Sequence, residues 1–155
     1  MTGLMIRSLG LGLTLALSAC GGPAIVPPAT LTPGEESCRS CRMAISTTRT
    51  AAQIVAPHEE ALFFDDIGCL RDYLREHRTM PDRAAAYVAD HRTGNWVPAR
   101  SAVYARVEDR DTPMGSHLLA FADSSSRDRD EAARRGQPLD PDELFDGLHV
   151  PDGAP

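Results

Sequence analysis

Residues 63–77 read FFDDIGCLRDYLREH, and residues 120–123 read AFAD ahead of a second polar stretch, SSSRDRDEAARR. In the first, a short apolar run closes on two acids, and either Asp65 or Asp66 can cap a helix by accepting a backbone N–H. Ile67, Leu70 and Leu74 then fall on one face at helical spacing. In the second, Leu118 to Ala122 ends on Asp123, which opens a helix over about 124–135, stopped by Gly136 and Pro138. Short strands precede each helix. Ala51 to Ala56 and Ala61 to Phe64 come before the first. Ala85 to Ala89, Trp96 to Val97 beyond a turn at Thr93-Gly94-Asn95, Ala102 to Val107 and Leu118 to Ala122 come before the second. This doubling predicts an α+β domain made of two similar small strand–strand–helix units.

The ends of the chain differ in composition from this centre. MTGLMIRSLGLGLTLALSACGG places Arg7 before an eleven-residue apolar run, Leu9 to Ala19, too short to span a bilayer and flanked as a secretory signal is. The closing LSAC resembles a bacterial lipobox, which makes Cys20 the acylated first residue of the mature chain; Gly21 after it favours the outer over the inner membrane, facing the periplasm. Residues 1–19 are thus expected to be the lipoprotein signal and 20–36, rich in Pro and Gly, a flexible tether. Residues 37–136 are the expected domain, and 137–155 an acidic tail with four prolines and one helical turn near 141–148.

A net charge of −6, falling to −7 once Arg7 is cleaved (−6 − 1), argues against a nucleic-acid partner, since the arginines are scattered among acids. Aromatic content of 5% requires a small aliphatic core. With Cys20 lipidated, Cys38, Cys41 and Cys69 remain, an odd number that cannot all pair within one chain in an oxidising compartment.

Cys38, Cys41 and Met43 crowd into CRSCRM, residues 38–43. Read as the start of a strand, Cys41-Arg42-Met43 sends thiol and thioether to one face and Arg42 to the other. Soft sulfur donors select Cu(I), and a thioether binds without losing a proton. Thr112-Pro113-Met114-Gly115 fits a turn with Met114 at its third position; spacing alone makes it an incidental surface methionine.

These segments together resemble the NosL family of copper-binding lipoproteins that assist maturation of nitrous oxide reductase. The resemblance covers about residues 38–123 and rests on CRSCRMAI (38–45), AAQIVAP (51–57), FFDDIGC (63–69), YVADHRTGNWVPARSAVY (87–104) and TPMGSHLLAFAD (112–123). It implies two ββαβ-type units, a non-enzymatic role, and Cu(I) delivery to apo nitrous oxide reductase and its maturation machinery in the periplasm. Carried onto this sequence, its ligands are Cys41, Met43 and Met114. Family members commonly have Gly where this chain has Arg42.

Cys38 could be a further ligand, a disulfide partner of Cys41 or a bystander. Cys69, in the first helical turn, reads more simply as a structural thiol than as a reactive one. His117 is close enough to Met114 to add a nitrogen, although a surface histidine is the simpler reading. Two other functions remain in view: a periplasmic thiol–disulfide oxidoreductase using Cys38 and Cys41, and a structural lipoprotein in which the pair is only a staple. The first lacks the strand–CxxC–helix setting of such enzymes. A zinc site is disfavoured because cysteines and histidines lack paired spacing.

Overall fold

Apolar runs of four or five residues bounded by Gly, Pro and Asp become strands, and the one long amphipathic stretch becomes the main helix. The computed structural model describes residues 25–145 and 149–153; the signal segment and Cys20 lie outside the described residues. In chain order the elements are β1 (Ala52–Val55), β2 (Leu62–Phe64), α1 (Ile67–Glu76), β3 (Ala85–Ala89) and β4 (Trp96–Pro98). Then follow β5 (Val103–Arg106), β6 (Leu118–Phe121), α2 (Ser124–Asp128), α3 (Glu131–Arg135), β7 (Gln137–Leu139) and α4 (Pro141–Leu144).

The first sheet has the order β2-β1-β3-β4 and the second β6-β5-β7, with every named pair antiparallel. Each is therefore a ββαβ unit in which the first strand lies between the second and third. β4 is an addition to the first. The expected doubling is present in both connectivity and strand order.

On α1 the predicted stripe is buried: Ile67, Leu70 and Leu74 are each at most 2% exposed. At about 1.5–3 kcal/mol per large aliphatic side chain, that face holds the helix to the core. The predicted second helix is split. Asp130 accepts from the N–H groups of Ala132 and Ala133 and so starts α3 afresh, in a Ser- and Asp-rich stretch of low helix propensity.

Packing runs past both expected domain boundaries. Residues 25–36, read as tether, lie against the first sheet: buried Gln53 exchanges two hydrogen bonds with the Ala29 backbone, and Tyr87 Oη donates to Val26 O at 2.8 Å. After Gly136, β7 pairs with β5, and Phe145 meets Tyr104 edge to face at 5.9 Å. Pro138 lacks the N–H of a central strand, but β7 is an edge, where a missing donor is tolerated.

Asp90 joins the two units. Its carboxylate, 1% exposed, accepts from Arg92 and Thr93 N–H in the β3–β4 turn and from Ala122 N–H and Ser126 Oγ at the start of α2. Burial alone would raise its pKa, but the bonds from Ser126, Ala122 and Thr93 prevail and hold it at about 2. Among the described residues no helix is long and apolar enough to cross a membrane.

Candidate metal centre

CRSCRM forms a tight turn, not a strand. Ser37 and Ala44 make an isolated antiparallel bridge, Cys38 N–H donates to Met43 O at 2.8 Å, and Arg42 N–H returns to Cys38 O at 3.0 Å. Arg42 sits in the left-handed region at φ 69°, so strand alternation does not govern where Cys41 and Met43 point. This conformation costs a non-glycine residue about 1–2 kcal/mol. A glycine at this position would adopt it freely. Arg39 N–H donates to Phe63 O at 2.7 Å and clips the hairpin to β2.

That clip brings Cys38 and Cys41 to the junction of β2 and α1. There the two adjacent acids divide their work. Asp66 caps α1, its Oδ1 accepting from Gly68 N–H at 2.6 Å, while its Oδ2 accepts from Met114 N–H at 3.0 Å. Asp65 turns inward, and the Cys41 thiol donates to its carboxylate at 3.5 Å. Cys69, in the first turn of α1, completes the group. The three Sγ atoms and one Asp65 oxygen all lie within 4.8 Å of one another, with Cys38, Asp65 and Cys69 buried and Cys41 partly exposed.

The thiols divide electrostatically. The hydrogen bond from Cys69 lowers the Cys38 pKa to about 6, against the opposing effect of burial. Cys69 is raised, first by committing its proton to Cys38 and then by burial. Burial raises Cys41. The arrangement favours one shared thiolate at Cys38.

The second unit supplies the outer wall. Gly115 N–H bonds Thr112 O at 2.9 Å, closing the predicted turn with Met114 at its third position. This loop presses on α1 so closely that a Cβ on Gly68 would stand 2.9 Å from Ser116 Cβ. Between them lies a cavity of about 370 Å³ whose lining includes Cys41, Cys69, Met114, His117, Arg71 and Arg106. His117 Nδ1 lies 2.9 Å from Arg110 O; a carbonyl only accepts, so the ring donates through Nδ1. Met43, 47% exposed on the hairpin, is not part of this lining, whereas Met114, 49% exposed, is.

Of the residues singled out from sequence, the fold thus gathers Cys38, Cys41, Cys69, Met114 and His117 in one place and leaves Met43 exposed on the hairpin, outside the lining. Asp65 was missed as part of it. The available signal was two consecutive acids at a helix start that needs only one cap. Cys69 is buried in the main core, as a structural thiol would be, and also stands within the cluster.

Three thiols, a carboxylate and a neighbouring thioether form a donor set able to hold a soft or borderline metal ion. No curated protein and no solved structure matches the chain. A family model, NosL, matches residues 28–146, a range that includes the whole centre and most of both stretches of packing beyond the expected boundaries. NosL proteins are accessory copper-binding proteins and secreted lipoproteins, a role that this donor cluster fits. The chain belongs to the NosL family.

Proposed function

We propose that this protein is a periplasmic Cu(I) carrier, anchored by lipid on Cys20 to the outer membrane, that hands copper to apo nitrous oxide reductase and its maturation machinery. Cys41 and Met43 from the hairpin and Met114 from the Thr112–Gly115 turn are the ligands. Cys38, Cys69 and His117 stand close enough to assist. The observation that carries this reading is that Cys41 and Met114, 73 positions apart in sequence (114 − 41), line one open cavity, the Cys41 thiol bonded to Asp65 and the Met114 N–H to Asp66. One thiolate with neutral thioethers suits a monovalent soft ion that must later be released, because thioethers bind without proton loss and grip less tightly than thiolates. The exposure of Met43 and Met114 lets a partner's ligands approach from outside. The CRSC segment lies in a turn ahead of β1 and does not itself open a helix, which weakens the oxidoreductase alternative.

Titration of the reduced protein with Cu(I) against a colorimetric chelator tests the assignment. Cys41→Ser and Met43→Leu should abolish stoichiometric binding with the fold intact, and Met114→Leu should weaken it at least about tenfold, equivalent to 1.4 kcal/mol. Wild-type affinity in all three would remove these ligands. Incubating the loaded protein with apo reductase, and following the enzyme's copper-centre absorption, tests the recipient.

A further inference from the structure

Residues 25–36, expected to form part of a flexible tether, are held on the domain from Ile25 onward. Ala29 exchanges two hydrogen bonds with buried Gln53, Val26 O accepts from Tyr87 Oη at 2.8 Å, and Leu31 is buried in the main core. Gly34 N–H donates to Ile45 O at 2.8 Å. Ile25 lies over the start of β3: a Cβ on Gly153 would stand 3.0 Å from Ile25 Cγ2 and 3.4 Å from Ala85 Cβ. Yet Ile25 is 60% exposed, more than Met43 or Met114, and the copper reading makes no use of it.

Strand register fixes where this segment leaves the domain. β1 pairs Val55 with Ala85 at one end of the first sheet, and Ala52 with Phe64 and Val88 at the other. Ile25 and Gly153 sit at the Val55–Ala85 end, where Gly153 N–H bonds Ala84 O. Asp65 and the hairpin clipped to Phe63 sit at the Ala52–Phe64 end. The three strand steps between the two ends cover about 10 Å, and both groups extend beyond them. A cavity of about 660 Å³ lies at the Val55–Ala85 end, its apolar wall made by Met80, Pro81, Ala84 and Pro151. The chain toward Cys20 therefore departs from the end of the sheet remote from the metal centre.

The reach of the remaining chain then limits how the domain can lie. Five peptide steps join Cys20 to Ile25 (25 − 20), a span of at most about 18 Å. A domain of this size is about 35 Å across. Had the chain been free as far as residue 36, its sixteen steps (36 − 20) could span about 55 Å and permit every orientation. With the short leash the centre cannot turn onto the bilayer, because Ile25 would then stand farther from it than the leash reaches. We infer that residues 25–31 are a strut: they seat the Val55–Ala85 end of the domain, led by Ile25, on the phospholipid surface and point the metal centre away from it. This rests on the lipid anchor at Cys20 and not on which metal is carried. Ile25, costly in water, gains by contact with the headgroup–acyl boundary. Met43 and Met114 then face solvent, open to a water-soluble partner.

The test compares the full lipidated chain, in vesicles of phosphatidylethanolamine and phosphatidylglycerol, with a Cys20→Ala chain in solution by hydrogen exchange. Peptides covering 25–28, 57–60 and 78–83 should exchange about tenfold more slowly on vesicles, a shielding of about 1.4 kcal/mol. Those covering 38–43 and 112–117 should exchange at the solution rate. Vesicles with brominated acyl chains give a second measurement: in a Trp96→Phe chain, Ile25→Trp fluorescence should be quenched and Met43→Trp fluorescence should not. A flexible insert of twelve Gly and Ser residues after Gly22, with a reach of about 20 Å, should narrow both contrasts. Slowed exchange at the centre, quenching of Met43→Trp, or contrasts untouched by the insert overturns the strut and leaves the anchor and the copper reading standing. A chain that stays in solution removes the anchor and the strut together, and Cu(I) titration of the Cys20→Ala chain reads the carrier role independently of both.

Discussion

Replacing Asp66 by Asn tests the joint between the two units at a single atom. The carboxylate is fully buried and uses one oxygen for the α1 cap, at 2.6 Å from Gly68 N, and the other for Met114 N–H, at 3.0 Å. Asn has the same shape but only one acceptor. If its oxygen keeps the cap, its NH2 faces the Met114 N–H, donor against donor; if the amide flips, the cap is lost. A hydrogen bond to a charged acceptor contributes about 1.5–3 kcal/mol, and loss of negative charge at a helix N-terminus adds about 0.3–1 kcal/mol. The variant should therefore lose about 2–3 kcal/mol, or about 8 °C in Tm for a domain of this size. The same change frees the Met114 turn, so Cu(I) affinity should fall about tenfold, a loss of 1.4 kcal/mol. Thermal circular dichroism of the reduced apoprotein and chelator competition read the two effects separately. An Asp66→Asn protein that melts and binds copper as the wild type does refutes the argument. One that melts early with copper affinity intact shows that the turn is fixed by other contacts.

Arg42→Gly should stabilise the fold by about 1 kcal/mol, because relief of a left-handed non-glycine residue outweighs the added freedom of the unfolded chain. Arg42→Val should destabilise it, and chemical denaturation of both variants decides; destabilisation by glycine would contradict the strain. The acid response of Asp90 has a defined sign. Its folded pKa of about 2 lies below the ordinary 3.8 of an aspartate, so its contribution is fully present above about pH 4 and is lost as pH falls toward 2. That contribution is about 2 kcal/mol, since one pKa unit is 1.36 kcal/mol. The Tm gap between wild type and Asp90→Asn should accordingly narrow from pH 4 to pH 2, and a gap independent of pH would refute the linkage.

The strands and α1 were legible because local signals agree there: period, caps and turn residues all point the same way. Ala85–Ala89 forms over the expected residues, and Ile67, Leu70 and Leu74 are buried as their spacing requires. What escaped depends on contacts distant in sequence. β7 contains Pro138, which reads as a breaker until its place at a sheet edge is known. The turn at Cys38–Met43 depends on an arginine in a glycine-like conformation, which composition does not reveal. Asp65 looks like a spare cap until the hairpin is laid across β2 and the thiols arrive beside it.

The seam between the two ββαβ units runs through the centre itself. One bank is the hairpin with the head of α1; the opposite bank is the loop between β5 and β6. An ion held as proposed, by Cys41 on one bank and Met114 on the other, would tie the two together. Chelation should then loosen the seam, and metal status should be readable from proteolytic resistance at the loop between β5 and β6.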